Sequence, residues 1–99
     1  MTNTASDYLA RAGEVMNQRG KSRDQENGER SMAAAVDAFW TIYGARILAR
    51  GYMAETEGWE FMSVLKKVRG AQGEYREDDY LDDVGYVALA AESAARGAR

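Results

Sequence analysis

The segment from Tyr75 to Ala91 reads Y-R-E-D-D-Y-L-D-D-V-G-Y-V-A-L-A-A, an acidic cluster that runs directly into an apolar stretch. Five carboxylates occupy seven positions: Glu77, Asp78, Asp79, Asp82 and Asp83. Carboxylates three or four positions apart share a helix face. Two that share a pocket repel each other unless water, a cation or a basic side chain compensates. The segment therefore predicts either a divalent-metal site or a solvated helix start.

The apolar residues of the same segment recur at helical spacing, which predicts a helix from about Glu77 to Ala95. Its small residues permit a close approach to another helix, and five positions share one face: Leu81, Val84, Ala88, Ala91 and Ala95. Gly85 is unusual inside a helix. A close helix crossing, or a ligand near the backbone, would explain it.

Three further segments show helical periodicity, at about residues 4–18, 29–49 and 56–69. Thr4 or Ser6 is a suitable cap for the first helix and Thr56 for the third. Gly20 fits just beyond the first helix, and Gly44 is a possible break in the second. We assign Trp40 to the core. The sequence therefore predicts an all-α fold, an antiparallel bundle of three to four helices.

Composition limits the chemistry that this chain can perform. Its 99 residues contain no cysteine and no histidine, which excludes disulfides, thiolate ligands and imidazole bases. Any metal would be a hard cation bound by oxygen, such as Mg²⁺. The net charge of −3 argues against direct binding to a nucleic-acid backbone.

Length and patterning suggest where the protein works. We expect one domain over residues 1–99, with frayed tails at 1–3 and 97–99. Domains this short bury only about 60–65% of their unfolded surface, so a homo-oligomer is expected. Apolar runs are far shorter than the roughly 20 residues that span a bilayer. The N-terminal residues do not resemble a signal peptide, so we expect no membrane association and a cytoplasmic location.

The carboxylate pairs at i, i+3 spacing include Glu26/Glu29, Glu57/Glu60 and Asp79/Asp82. Two such pairs on facing helices can hold Mg²⁺. Each pair alone is better explained as acidic residues that complement a helix N-terminus. Asp78 and Asp82 add more charge than a helix start requires. Upstream of the acidic cluster, the segment K-K-V-R at 66–69 contains two cations that can bind phosphate groups, Lys66 and Arg69. Taken alone, these cations are better explained as a solvated helix end that suits the helix dipole. Trp59 is a possible stacking platform for a nucleobase.

Four motifs in order resemble a family of small phage and prophage proteins of unassigned function, related to the all-α MazG-like nucleotide pyrophosphohydrolases. They are E-N-x-x-R (26–30), F-W-x-x-Y-G (39–44), M-x-x-L-K-x-x-R (62–69) and D-D-x-x-D-x-x-G-Y (78–86). The resemblance covers about residues 20–92. It implies hydrolysis of (deoxy)nucleoside triphosphates to monophosphate and pyrophosphate, with Mg²⁺ held by E-x-x-E and E-x-x-D motifs.

Carried onto this chain, the resemblance implies that the pairs Glu26/Glu29 and Asp79/Asp82 hold Mg²⁺. The i, i+4 spacing of Asp78 and Asp82 adds Asp78 as a fifth metal ligand. Glu29 would serve as the general base, while Lys66, Arg69 and Trp59 would bind the nucleotide. The second motif begins with Asp instead of Glu, and about fifty residues separate the pairs, which is more than usual. A relative that binds nucleotides without hydrolysing them is an intermediate possibility.

An interaction protein is the alternative from a different class. In this interpretation the chain is a small phage-encoded helical inhibitor without catalysis. Its acidic surface would bind a host protein complex, as counter-defence or anti-CRISPR proteins do, in the host cytoplasm. The partner is then either a nucleotide substrate or a host protein complex.

Overall fold

The computed structural model describes residues 3–22 and 31–99, which form four helices: α1 (Ala5–Ser22), α2 (Ser31–Arg50), α3 (Glu55–Gly70) and α4 (Glu77–Ala95). The predicted all-α helical bundle is confirmed. The bounds of α4 match the prediction, whereas α1 continues through Gly20, which the sequence places beyond the helix end.

The third helix is the centre of the packing. Within the described residues α3 packs against both α2 and α4, while α1 packs against none of the other helices. Five buried apolar residues form the core at the contact of α2 with α3: Ala35, Phe39, Ile47, Val64 and Leu65. The ring of Phe39 packs edge-on against Phe61 with centroids 5.3 Å apart. Because α2 and α4 both lie against α3, a cleft opens between them.

Local hydrogen bonds cap the first turns of α1 and α3. Thr4 caps α1 as predicted, since its Oγ1 accepts from the Asp7 N–H at 3.2 Å and the Asp7 carboxylate accepts from the Thr4 N–H at 3.0 Å. The predicted cap of α3 is wrong. Thr56 is the second residue of α3 and is buried. Its hydroxyl shares a hydrogen bond of 2.7 Å with the hydroxyl of Ser93 on α4. The carboxylate of Glu57 instead accepts from the Ala54 N–H at 2.8 Å.

The core assignment of Trp40 is wrong, because its side chain is 46% exposed. The stripe of α2 that faces α3 runs through Phe39, and Trp40 lies one position outside it. The possible break at Gly44 is also not observed, since α2 is continuous from Ser31 to Arg50. Gly44 is buried beneath the indole, and a Cβ there would lie 2.5 Å from Cε3 of Trp40. The glycine therefore makes room for Trp40.

The fourth helix buries the face opposite to the one that an amphipathic helix normally buries. Its mainly polar side packs on α3, with Asp79, Ala90 and Ser93 buried. The predicted apolar face points outward, with Leu81 58% and Val84 68% exposed. The close helix–helix approach expected for this face is therefore not made within the described part of the chain. None of the helices in residues 3–22 and 31–99 combines the length and apolarity that crossing a membrane requires.

Candidate functional site

The acidic cluster of α4 meets the basic end of α3. Lys66 Nζ lies 2.8 Å from an oxygen of Asp82, and Lys67 Nζ lies 2.8 Å from Oδ2 of Asp83. Ser63 donates to the other oxygen of Asp83 and accepts from Lys67. Basic side chains thus compensate the repulsion between these carboxylates.

The remaining residues predicted at this end of α4 differ in burial. Asp78 is exposed, whereas Asp79 is only 2% exposed and Arg69 is partly buried. A small cavity of about 180 Å³ lies between the two helices here, lined in part by Lys66, Asp79 and Asp83. The structure thus brings the predicted phosphate-binding lysine next to the predicted metal ligands, and Lys66 and Asp82 bind each other.

The described carboxylates do not fit a magnesium site. Within residues 3–22 and 31–99, no group of three or more acidic side chains is placed to hold a metal ion. Asp82 and Asp83 already contact ammonium groups. Glu26 and Glu29, the predicted first pair and general base, lie outside the described residues. The Mg²⁺ site therefore stays a prediction.

Trp59 packs against the protein on one side. Its ring stacks on Tyr86 of α4 with centroids 6.1 Å apart and an interplanar angle of 20°. Its Nε1 donates to the carboxylate of Glu55 at 3.1 Å. The indole therefore helps to hold α4 on α3, and Tyr86 occupies one of the two faces that stacking on a nucleobase would use.

The cleft between α2 and α4 is the better candidate site. It has a volume of about 320 Å³, within the range typical of ligand pockets. Its floor is formed by Thr56, Glu57 and Glu60 of α3, and α2 contributes Tyr43 and Arg46. The remaining lining comes from α4 and the residues after it: Val87, Ala90, Ala91, Ala94 and Arg99. One wall is therefore apolar, while the floor and the opposite rim carry charge.

A buried ion pair holds the floor of the cleft. Glu57 is 2% exposed, and both of its oxygens accept from Arg50, at 2.6 and 2.7 Å. Hydrogen bonding from Arg50 keeps the pKa of Glu57 below its ordinary value of 4.5, although burial opposes this shift. Arg46 lies farther away, with Nε 3.9 Å from Glu57, and its side chain is 45% exposed. Glu57 is thus a structural group, and Arg46 has donors available for a ligand.

A hydrogen bond between two residues that line the cleft also joins α2 to α3. The hydroxyl of Tyr43 donates to Glu60 at 2.7 Å. Burial and this hydrogen bond raise the pKa of Tyr43 to about 12, so its hydroxyl remains protonated at physiological pH. The Glu60 carboxylate keeps acceptor capacity for a further donor, because each carboxylate can accept several hydrogen bonds.

The sequence contains a signal for this cleft that helical periodicity and the helix dipole do not capture. Arg46 and Arg50 stand one turn apart in α2, where the only other charged residue is Asp37. A cation on the side of a largely apolar helix that packs against a neighbouring helix favours a carboxylate partner there. The i, i+3 pair Glu57/Glu60 on the next helix supplies acceptors. Considered together with the two arginines, that pair predicts a contact between helices as well as a helix start.

Comparison with known proteins identifies no relative: no protein family, no curated protein and no solved structure matches this chain. The resemblance to MazG-like proteins therefore rests on the four sequence motifs alone. The candidate site rests on its geometry.

Proposed function

We propose that this protein binds a nucleotide or a similar phosphorylated small molecule in the cleft between α2 and α4. The observation that carries the proposal is the composition of the cleft. An exposed arginine, a neutral tyrosine hydroxyl and a carboxylate face an apolar wall across about 320 Å³. Pockets that combine apolar walls with a few convergent polar groups are typical of ligand sites.

The polar side of the cleft suits a phosphorylated ligand. The guanidinium of Arg46 can donate two parallel hydrogen bonds to a phosphate, with Arg99 on the opposite rim as a second cation. Glu60 would accept from a sugar hydroxyl or a base amino group. This placement differs from the sequence prediction, in which Lys66 and Arg69 bind phosphate. The Nζ of Lys66 lies 2.8 Å from an oxygen of Asp82, so its ammonium group already has a carboxylate partner.

The apolar side of the cleft suits a flat ring. Val87, Ala91 and Ala94 of α4 present small side chains that leave space for a base or a similar group. Burial of apolar area on this wall would contribute roughly 25 cal/mol per Å² to binding. The MazG-like resemblance also favours nucleotides, since that family acts on nucleoside triphosphates. Hydrolysis is a separate prediction, because it depends on the Mg²⁺ site.

Calorimetric titration with a panel of nucleoside mono- and triphosphates tests the proposal. We expect Arg46→Ala to weaken binding about 10–100-fold, the worth of a charge-assisted hydrogen bond of about 1.5–3 kcal/mol. Tyr43→Phe should also weaken binding, while it keeps the ring that packs on Phe39. Lys66→Ala is the matched control at the other end of α3 and should bind normally.

The opposite pattern would contradict the proposal. Binding that is lost in Lys66→Ala and kept in Arg46→Ala would move the site to the acidic cluster, and absence of binding at millimolar nucleotide would reject both. Addition of Mg²⁺ with a pyrophosphate assay checks hydrolysis separately. Release of more pyrophosphate by the parent protein than by an Asp82→Ala variant would support the predicted metal site.

Protein binding through the acidic end of α4 is the second candidate. The observation that favours it is an aromatic and acidic patch made of Tyr75, Tyr80, Glu77 and Asp78, all exposed, in which the two tyrosine rings stack 5.7 Å apart. Tyrosine is enriched at interaction hot spots. The partner would carry a basic surface.

We expect the double variant Glu77→Lys/Asp78→Lys to abolish such binding and Glu92→Lys, on the same helix, to preserve it. The measurement is isolation of complexes with the tagged chain at low and high salt. A complex that forms equally well with both variants would exclude this surface.

A further inference from the structure

The chain reverses direction directly after α4 and returns to α3. Gly97 has a φ of +89°, a left-handed conformation that favours glycine. Its N–H donates to the Ala94 carbonyl at 3.0 Å, and the N–H of the next residue, Ala98, donates to the Ser93 carbonyl at the same distance. These two hydrogen bonds form the Schellman motif that commonly ends a helix. We call residues 96–99 the return turn.

The return turn docks on the first turn of α3. The N–H of Thr56 donates to the Ala98 carbonyl at 3.2 Å. The first N–H groups of a helix have no partner within it, so this contact satisfies one of them from another part of the chain. The Thr56 hydroxyl also shares a buried hydrogen bond with Ser93, and Arg96 donates to Glu55 at 3.4 Å. Backbone and side-chain contacts therefore hold the return turn on α3.

The return turn brings a second cation to the cleft between α2 and α4. The described lining residues of the cleft include Arg46 on α2 and Arg99 on the return turn, above a floor that contains Glu57 and Glu60. Arg50 neutralises Glu57, and Arg46 alone would only balance the charge of Glu60. Arg99 therefore gives the cleft the net positive charge that an anionic phosphate group requires.

We propose that Arg99 binds the phosphorylated ligand of the cleft and that Gly97 is the positioning residue that brings Arg99 there. This inference rests on the proposed function. A Cβ at position 97 would meet nothing within 4 Å, so the left-handed backbone, and not a lack of space, accounts for the glycine. Docking of the return turn and binding of the ligand at Arg99 are then linked, and each strengthens the other.

Amide hydrogen exchange of Thr56 measures the docking of the return turn without any ligand. We expect Gly97→Ala to accelerate this exchange about 5–30-fold, the factor that corresponds to the cost of a left-handed conformation for a residue with a Cβ. Exchange of the Glu57 N–H should stay unchanged, because its acceptor, the Ala54 carbonyl, lies outside the return turn. Gly85→Ala is the matched control and should accelerate neither amide. Gly85 is an exposed glycine within α4, and a Cβ there also meets nothing within 4 Å.

Calorimetric titration with adenosine monophosphate and adenosine triphosphate tests the role of Arg99. We expect Arg99→Ala to weaken binding about 10–100-fold, as for Arg46→Ala. Gly97→Ala should weaken binding several-fold, because a turn held by few contacts is open part of the time. The double variant should bind as Arg99→Ala does, since Gly97 acts through Arg99. Saturating nucleotide should slow the exchange of Thr56 in the parent protein and not in Arg99→Ala.

Three results would overturn the inference. Equal exchange of Thr56 in the parent protein and in Gly97→Ala would show that the glycine does not hold the return turn. Normal nucleotide binding by Arg99→Ala would remove this arginine from the site. A double variant that binds more weakly than Arg99→Ala would show that Gly97 acts through the fold and not through Arg99. Absence of nucleotide binding by the parent protein would instead reject the proposed function and with it the role of Arg99, while the exchange of Thr56 would still decide whether Gly97 positions the turn.

Discussion

Replacing Glu57 by Gln is expected to destabilise the protein severely while the same change at Glu55 has little effect. Glu57 is 2% exposed and accepts three hydrogen bonds, two from Arg50 and one from the Ala54 N–H. Loss of charge-assisted hydrogen bonds at a buried group costs about 3 kcal/mol, or roughly 12–24 °C in Tm for a domain of this size. Thermal and urea unfolding followed by circular dichroism measure the change.

Glu55 is the matched control because it lies in the same first turn of α3 and interacts equally with the helix dipole. Its side chain is 52% exposed and pairs with Arg96 at 3.4 Å, so its loss should cost less than about 1 kcal/mol. Equal losses in Glu55→Gln and Glu57→Gln would show that the dipole, and not the pair with Arg50, accounts for the effect.

The same residue should make stability depend on pH in the acid range. Because the folded pKa of Glu57 lies below its ordinary 4.5, the unfolded chain binds the proton more readily. This contribution is fully present above pH 4.5 and is lost as the pH falls through the folded pKa. Glu57→Gln should therefore show a shallower decline below pH 4.5 than the parent. Parallel acid-denaturation curves would contradict this assignment.

The helices of this chain could be predicted from periodicity, but the face that each helix buries could not. The bounds of α4 follow from apolar spacing and the acidic start at Glu77. Spacing also indicates an apolar face, and for α4 the rule that such a face turns inward fails. The polar face is held inward by contacts such as Lys67 to Asp83 and Thr56 to Ser93. These contacts join residues 16 and 37 positions apart, so no local pattern reveals them.

The candidate site was only partly predictable for the same reason. Sequence spacing singles out acidic pairs, but spacing along one helix does not say what lies across from it. Asp82 faces Lys66, and Glu60 faces the hydroxyl of Tyr43. The first arrangement neutralises charge between two helices. The second places a hydrogen-bonded carboxylate in an open cleft. Two similar sequence motifs thus have different chemical roles because their partners on the neighbouring helix differ.

Replacing Phe39 by Ala is expected to cost about 3–5 kcal/mol of unfolding free energy, the range for a buried aromatic residue. Phe39 is 3% exposed and its ring contacts Tyr43 and Phe61, so it joins α2 to α3. The neighbouring Trp40 is larger but 46% exposed, and Trp40→Ala should cost at most about half as much. Chemical denaturation of both variants measures the difference. If Trp40→Ala is the more damaging change, the indole is covered in solution by a further surface that packs on α2.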